Sequence, residues 1–439
     1  MRTLLAGGVL VTCDENHAVH APGDLVLEDD RIAYAGPRYE GDADERLSAE
    51  GRLLMPGLVN AHTHAPMSIF RGLADDVDLE VFLHERVWPR EQKLKPEEVY
   101  AGTVLSAVEM LKRGVTTYVD MYFWEEDHTR AALDAGIRAV VTPGILDVGG
   151  WEGLVGWEKR LGMVLDFCER WEGTDGRIHT GIAPHAPYTV PLEGLREIAA
   201  AARKAGRLVH THLVETKGER DSFNERNGKS TAAALEEIGF FEADVLAAHS
   251  IWLDDGDVEI YARNGVAVAH CPVSNAKLGC GIAGVPALLA AGVPVGLGTD
   301  GAATNNKLSL WDELRFAPLL AKVSSGDPKA LPAPDALAMA TRIGAEAIRL
   351  RAVGVLAEGR KADVAMLRLD DSTVVPIFTE RSYVDHLVYS AGAELVDSVW
   401  VNGARVVKEG EVLTVDEAEA RRAAQAAALA VTERVGRGS

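Results

Sequence analysis

Cysteine is scarce in this chain. Its 439 residues include four, at positions 13, 168, 271 and 280, with no C-x-x-C and no regular spacing. That excludes a disulfide framework and suits a reducing compartment, so the cytoplasm is the expected location. Long apolar runs are missing as well: none approaches the roughly 20 residues a helix needs to span a bilayer. The opening MRTLLAGGVLVTC sets Arg2 before a brief apolar stretch, in the manner of a short export signal. The Gly7-Gly8 pair and the alternation in DLVLEDDRIAYAG read instead as a first β-hairpin of the folded protein. Positive charge is in deficit, 45 Lys and Arg against 66 Asp and Glu, for a formal net charge of -21. With no local basic patch, such a chain repels phosphate backbones and anionic lipid, and neither nucleic acid nor a membrane is an expected partner. Biased or low-complexity tracts are also lacking, and fractions of 47% hydrophobic and 25% charged residues are those of a chain that folds throughout.

What is present is a rhythm. The length suits one large domain of about 250 to 300 residues plus a smaller one. From about residue 58 to 299, short β-branched apolar runs alternate with longer helix-patterned segments. The runs begin near residues 58, 116, 138, 177, 207, 245, 266 and 293. Eight parallel strands buried on both faces most economically close into a barrel, so the expected class is α/β, a (β/α)8 TIM-type barrel. Helix punctuation agrees: LKPEEVYAGTVLSAVEMLKRG has Pro96 and two glutamates in its first turn, basic residues in its last and Gly114 beyond. Outside the barrel, alternating strands at both ends, including DSVWVNGARVV with its Asn402-Gly403 turn signal, predict a small composite β-sandwich domain. The expected division is residues 1–57 and 355–439 for that domain, with 58–354 for the barrel. The last stretch, VDEAEARRAAQAAALAVTERV, predicts a surface helix packed by its Ala and Leu side chains.

In a barrel the working face lies at the carboxyl ends of the strands. Polar residues gather there: His62 and His64 after the first run, His185 after the fourth, His210 and His212 at the fifth, His249 at the sixth, His270 at the seventh and Asp300 at the eighth. Any one of these could be a histidine satisfied by a backbone hydrogen bond. Together they exceed what packing needs, whereas a divalent ion such as Zn2+ takes imidazole nitrogen and carboxylate oxygen at about 2.0 to 2.2 Å. In VNAHTHA the two histidines are one residue apart and must share a face of the strand. They are expected as two ligands of one ion, with His212 and Asp300 as the third and fourth and a position left for water.

The HTH motif, the later histidines and GTDG resemble the amidohydrolase superfamily over nearly the whole chain. PGLVNAHTHAPMSIFRGLADD, HTHLVET, the long stretch from CPVSNAKLGCG to GTDGAATNN and the tail EGRKADVAML are similar to the branch of 5-methylthioadenosine/S-adenosylhomocysteine deaminases. The resemblance implies one catalytic metal ion, zinc or in some members iron, a nucleoside substrate and a homo-oligomer. The fourth run, IHTGIAPHAP, lacks the lysine that bridges two metals in other branches, so a single ion is expected. It further implies His62, His64, His212 and Asp300 as ligands, with Glu215 as proton shuttle and His249 and Asp300 as catalytic partners at the attacking water. His185 and Glu91 are implied as substrate contacts, Glu91 to the ribose hydroxyls, and Phe82 stands where an aromatic packs on the nucleoside. Chemically, a carboxylate beside a metal-acidified water can take its proton and hand it to a ring nitrogen, as aminopurine deamination requires.

Branch members that accept an amino-acid tail carry arginines after the third strand, since a guanidinium fork matches a carboxylate. Here Pro143 and Val155 stand at those places, with Lys159 and Arg160 nearby and Trp151, Leu154 and Trp157 between. The expected substrate is therefore an adenosine-like nucleoside with an uncharged 5' substituent, such as 5'-methylthioadenosine, 5'-deoxyadenosine or adenosine. The alternatives are another aminated heterocycle, guanine-like, pterin or triazine, and a non-catalytic metal- or ligand-binding barrel.

Overall fold

The structure, a computed structural model, describes residues 1–148 and 154–436. Its centre is an eight-stranded parallel sheet whose strands follow one another in chain order. They run Leu58–Thr63, Val115–Tyr122, Arg138–Ile145, Ile178–Pro184, Leu208–Leu213, Val245–His249, Ala267–His270 and Val295–Leu297, each on one of the eight runs predicted above. Nearly every residue in them is buried, as a parallel sheet covered by helices on its outside and filled by side chains within must be.

The ring closes between the eighth strand and the first through side chains and loop peptides. Asn60 Nδ2 donates to Thr299 Oγ1 at 2.8 Å, Thr299 N donates to Asn60 Oδ1 at 3.0 Å, and Asp300 N donates to the His62 carbonyl at 2.9 Å. This seam is tight enough to require Gly298, where a Cβ would sit 2.8 Å from that of His62. The closure thus sets Asp300 beside the end of the first strand.

Local chemistry shapes the helices as expected. Pro96–Lys112 begins with proline and ends at Gly114 with φ +75°, and Leu192–Ala205 ends at Gly206 with φ +63°. A second sheet of nine strands draws on both ends of the chain. Arg52–Pro56 is its junction, parallel to Arg2–Val11 on one side and antiparallel to Val364–Arg368 on the other. The first two strands, Arg2–Val11 and Val19–Glu28, form the expected antiparallel pair. Asn402 and Gly403, with φ +52° and +80°, make the turn between Val396–Val401 and Ala404–Lys408. A side chain on Gly403 would strike the Asp29 carbonyl, so the turn also docks one end of the chain onto the other.

The terminal helix, Glu417–Gly436, departs from expectation in one respect. Ala420, Ala424, Ala427 and Val431 are its buried residues, while Leu429 is 57% exposed. Small residues along one stripe let the helix axis approach Pro96–Lys112 closely, and Leu429 falls off that stripe.

Candidate metal centre

The first strand ends in His62 and Thr63, with His64 directly after it, and alternation turns Thr63 away from the barrel mouth. Thr63 Oγ1 lies 2.7 Å from Asp120 Oδ1, which also accepts the Ala65 N–H, so a buried carboxylate on the second strand braces the turn between the two imidazoles. The other rings come from the ends of the fifth and sixth strands.

The hydrogen bonds at their far sides fix which nitrogen each ring presents. His64 Nδ1 lies 2.6 Å from the Met121 carbonyl oxygen and His212 Nδ1 lies 2.9 Å from that of His185. A carbonyl can only accept, so both Nδ1 atoms carry the proton and both Nε2 atoms present lone pairs. A relay gives His62 the same state. Thr142 Oγ1 donates to the Asp120 carbonyl at 2.5 Å and so accepts from His210 Nδ1 at 3.0 Å. That leaves His210 Nε2 to accept from His62 Nδ1 at 2.8 Å.

These lone pairs meet one another. His64 Nε2 and His212 Nε2 are 3.3 Å apart. Asp300 Oδ1 lies 3.4 Å from His62 Nε2 and 3.3 Å from His64 Nε2. His62 Nε2 is buried and has no hydrogen-bond partner. Lone pairs converging at such distances, without protons between them, call for a cation. Atoms about 2.0 to 2.2 Å from one tetrahedral ion stand about 3.3 to 3.6 Å from each other, so the spacing fits a first-row divalent ion.

Electrostatics keeps the donors ready. Burial pushes His62 down to about 4 and His210 and His212 well below the ordinary imidazole value, so these rings are neutral at pH 7. Asp300, buried among these rings, presents Oδ1 toward them. Its second oxygen accepts from Ser274 Oγ at 2.6 Å and Thr304 Oγ1 at 2.8 Å. Asp300 and His249 both sit in the left-handed backbone region, φ +60° and +68°, where non-glycine residues are uncommon and cluster at functional sites.

Glu215 and His249 stand beside this group, with His249 Nε2 3.8 Å from Glu215 Oε2. Burial raises the Glu215 pKa. Burial lowers that of His249, but the Glu215 and Asp300 carboxylates and the Asn275 amide outweigh it and the net shift is upward. The 2.8 Å contact from His249 Nδ1 to Asn275 Oδ1 makes Nδ1 the donor and turns Nε2 toward Glu215. Such a pair, an imidazole nitrogen facing a buried carboxylate, is chemically able to hold a proton.

A model of the amidohydrolase family matches residues 53–406. The chain belongs to the amidohydrolase family. It is 41% identical over 436 residues to a 5-methylthioadenosine/S-adenosylhomocysteine deaminase of Pelotomaculum thermopropionicum, covering 98% of this chain and 99% of the relative. Identity is also 41% over 427 residues to a 5'-deoxyadenosine deaminase of Methanosarcina acetivorans, covering 96% and 97%. Among solved structures, an adenosine deaminase from Xanthomonas campestris with bound zinc superposes with a TM-score of 0.92 at 31% identity, covering 99% and 98%.

In this amidohydrolase the histidines open onto a pocket. His185, Glu91 and Phe82 all line it. His185 lies with its ring centroid 4.7 Å from that of His212, and burial lowers it to about 3. Glu91 is partly buried beside the Tyr122 hydroxyl, burial raises its pKa, and Arg90 donates to the Arg86 carbonyl. Phe82 opens a π-helical segment, Phe82–Val87, and is both pocket wall and part of an apolar cluster with Ile69, Val87 and Leu94.

The stretch after the third strand differs from expectation. Arg160 forks onto both oxygens of Glu125 at 2.9 Å and donates to the Gly144 carbonyl, so its guanidinium is already committed. Trp157 packs toward Gly194 on the outer helix layer, and Trp151 lies outside the described residues. The apolar pocket walls come instead from Leu146 and from Met67, Leu79, Leu83 and Trp88 after the first strand. Asp120, Thr142 and Asn275 escaped sequence reasoning; only Asp120, an acid inside the apolar run TTYVDMY, left a trace there.

Proposed function

We propose that this amidohydrolase is a hydrolytic deaminase of adenosine-like nucleosides with an uncharged 5' substituent, using one divalent ion, zinc, held by His62, His64, His212 and Asp300. The observation that carries the reading is that two proton-free Nε2 atoms, of His62 and His64, face one oxygen of Asp300 while a third, of His212, stands 3.3 Å from His64 Nε2. The relatives named 5-methylthioadenosine/S-adenosylhomocysteine deaminase and 5'-deoxyadenosine deaminase support an adenosine-like nucleoside as substrate. The committed Arg160 and the apolar walls support the uncharged 5' group.

Held by these four residues, a divalent ion would acidify water and so supply a nucleophile at neutral pH. Glu215 takes the proton that water gives up and delivers it to the purine ring nitrogen beside the amino-bearing carbon. His249, held by Asn275, faces Glu215 through Nε2 and stabilises its charged form. The proton left on the oxygen now bonded to the ring carbon passes to the amino group as that C–N bond breaks, so water and the aminopurine become ammonia and the 6-oxopurine. His185 and Phe82 hold the base, and Glu91 accepts from the ribose hydroxyls. The enzyme is read as cytoplasmic, in keeping with four buried, unpaired cysteines, and as a homo-oligomer.

The test is a panel of adenosine, 5'-deoxyadenosine, 5'-methylthioadenosine, S-adenosylhomocysteine, guanine and a triazine, read by ammonia release and absorbance. Turnover is expected for the uncharged nucleosides, lost on chelation and restored by zinc. Glu215→Gln should lower kcat by about 100-fold or more. Loss of Glu91 should harm ribose-bearing substrates alone. Absence of aminopurine turnover by zinc-loaded protein would defeat the reading.

A further inference from the structure

Alternation along a strand creates a problem at Glu215. It lies three residues beyond His212, and in a continuous strand residues three apart face opposite sides. Both nevertheless reach the barrel mouth. The reconciliation is at Val214, whose φ is +51°, a left-handed conformation that β-branched residues adopt rarely. Such a kink needs anchors. Its carbonyl accepts from Ile251 N at 3.1 Å and Trp252 N at 3.3 Å, and the preceding Leu213 carbonyl accepts from Ser250 N at 3.0 Å. The N–H groups go elsewhere: Val214 N donates to Glu219 Oε1 at 3.0 Å and Glu215 N to Glu219 Oε2 at 2.8 Å.

Glu219 occupies the third position of the helix Lys217–Asn227, whose N-cap, Thr216, accepts from Glu219 N at 3.0 Å. A Thr-x-x-Glu capping box ordinarily sends its glutamate back to the N–H of the N-cap residue. Here the carboxylate reaches past Thr216 to the two residues before it. Burial and the neighbouring Glu215 carboxylate push Glu219 up to about 7, a penalty that helix capping alone does not explain.

We propose that Glu219 is a positioning residue for Glu215: by fixing two successive peptide N–H groups it holds Val214 in the left-handed region and turns the Glu215 carboxylate onto His249. The proposal rests on the proton-carrying role given to Glu215. Glu219→Gln keeps the shape but sets an amide NH2 against one of the two N–H groups. Its kcat should fall about 10- to 100-fold, as expected for a misplaced catalytic group, with KM within about threefold and zinc content unchanged. A crystal structure of the variant should show Val214 out of the left-handed region and Glu215 withdrawn from His249. Thr216→Ala removes the cap oxygen of the same helix but leaves both Glu219 bonds, and should stay within about threefold of the parent kcat.

Parent-like kcat in Glu219→Gln, an equal loss in Thr216→Ala, or an unmoved Val214 in the crystal overturns the positioning role. Glu215→Gln, assayed alongside, separates the two ideas. If it retains parental turnover, the role of Glu215 is wrong and the proposal falls with it. If it is inactive while Glu219→Gln is not, only the positioning role fails. Should no nucleoside be turned over, the crystallographic comparison decides.

Discussion

Thr142 has no place among the groups that converge on the candidate ion, yet it decides which nitrogen of His62 is free to bind it. Its hydroxyl has one proton, spent on the Asp120 carbonyl, so it must accept from His210, and His210 must then accept from His62. Replacing Thr142 by Val keeps the volume and removes the acceptor. The His210 ring then has no reason to hold its proton on Nδ1. Moving it to Nε2 would force His62 to accept at Nδ1 and carry its own proton on Nε2, the atom proposed to face the ion. Losing such an outer support typically costs about 10- to 100-fold in metal affinity. Competition with a chromogenic chelator should show that loss for Thr142→Val, and an unchanged affinity would show that the ring selects its tautomer without the relay. Sequence reading placed His210 only among the polar strand ends, because a tautomer is set by partners from three different strands and leaves no pattern along any one of them.

At the scale of elements, the question is what holds the barrel to the nine-stranded sheet. Arg138, at the start of the third barrel strand, forks onto both oxygens of Asp363 at 2.9 Å, and the two side chains are each 1% exposed. The guanidinium also donates to the Gly176 carbonyl at 2.6 Å, and Asp363 accepts Asn402 N at 2.7 Å, so the pair reaches the turn of the second sheet. Removing one partner strands a buried charge and typically costs about 3 to 5 kcal/mol. Arg138→Met should lose about that much in denaturant unfolding. The double variant Arg138→Met with Asp363→Leu should recover much of it, because the stranded carboxylate is gone. Equal destabilisation of both would mean that the stranded carboxylate is not the source of the loss.

Across the whole molecule, legibility followed the range of the interaction. All eight barrel strands could be placed because a buried parallel strand writes itself as a local apolar run, and helix ends such as Pro96 and Gly114 are chosen by their own backbone chemistry. The polar strand ends were legible because the barrel sends every carboxyl end to one face. Contacts between distant segments were not: nothing in the residues around Arg160 foretells its fork onto Glu125, 35 residues away. Assembly is the longest-range property of all. On the helix Leu310–Ser325, Phe316, Leu319 and Val323 form one exposed stripe, with Val323 77% exposed, and Phe378 at 83% stands with Val375 and Ile377 on a second patch. Covering one such side chain is worth about 1.5 to 3 kcal/mol, while a net charge of -21 drives copies apart. Apolar contact must therefore carry any self-association, and added salt should strengthen it by screening the repulsion. Sedimentation at about 10 µM is expected to show an oligomer that the pair Val323→Glu and Phe378→Asp shifts toward monomer with zinc content intact. A monomeric parent at high salt would mean that these patches are ordinary exposed surface.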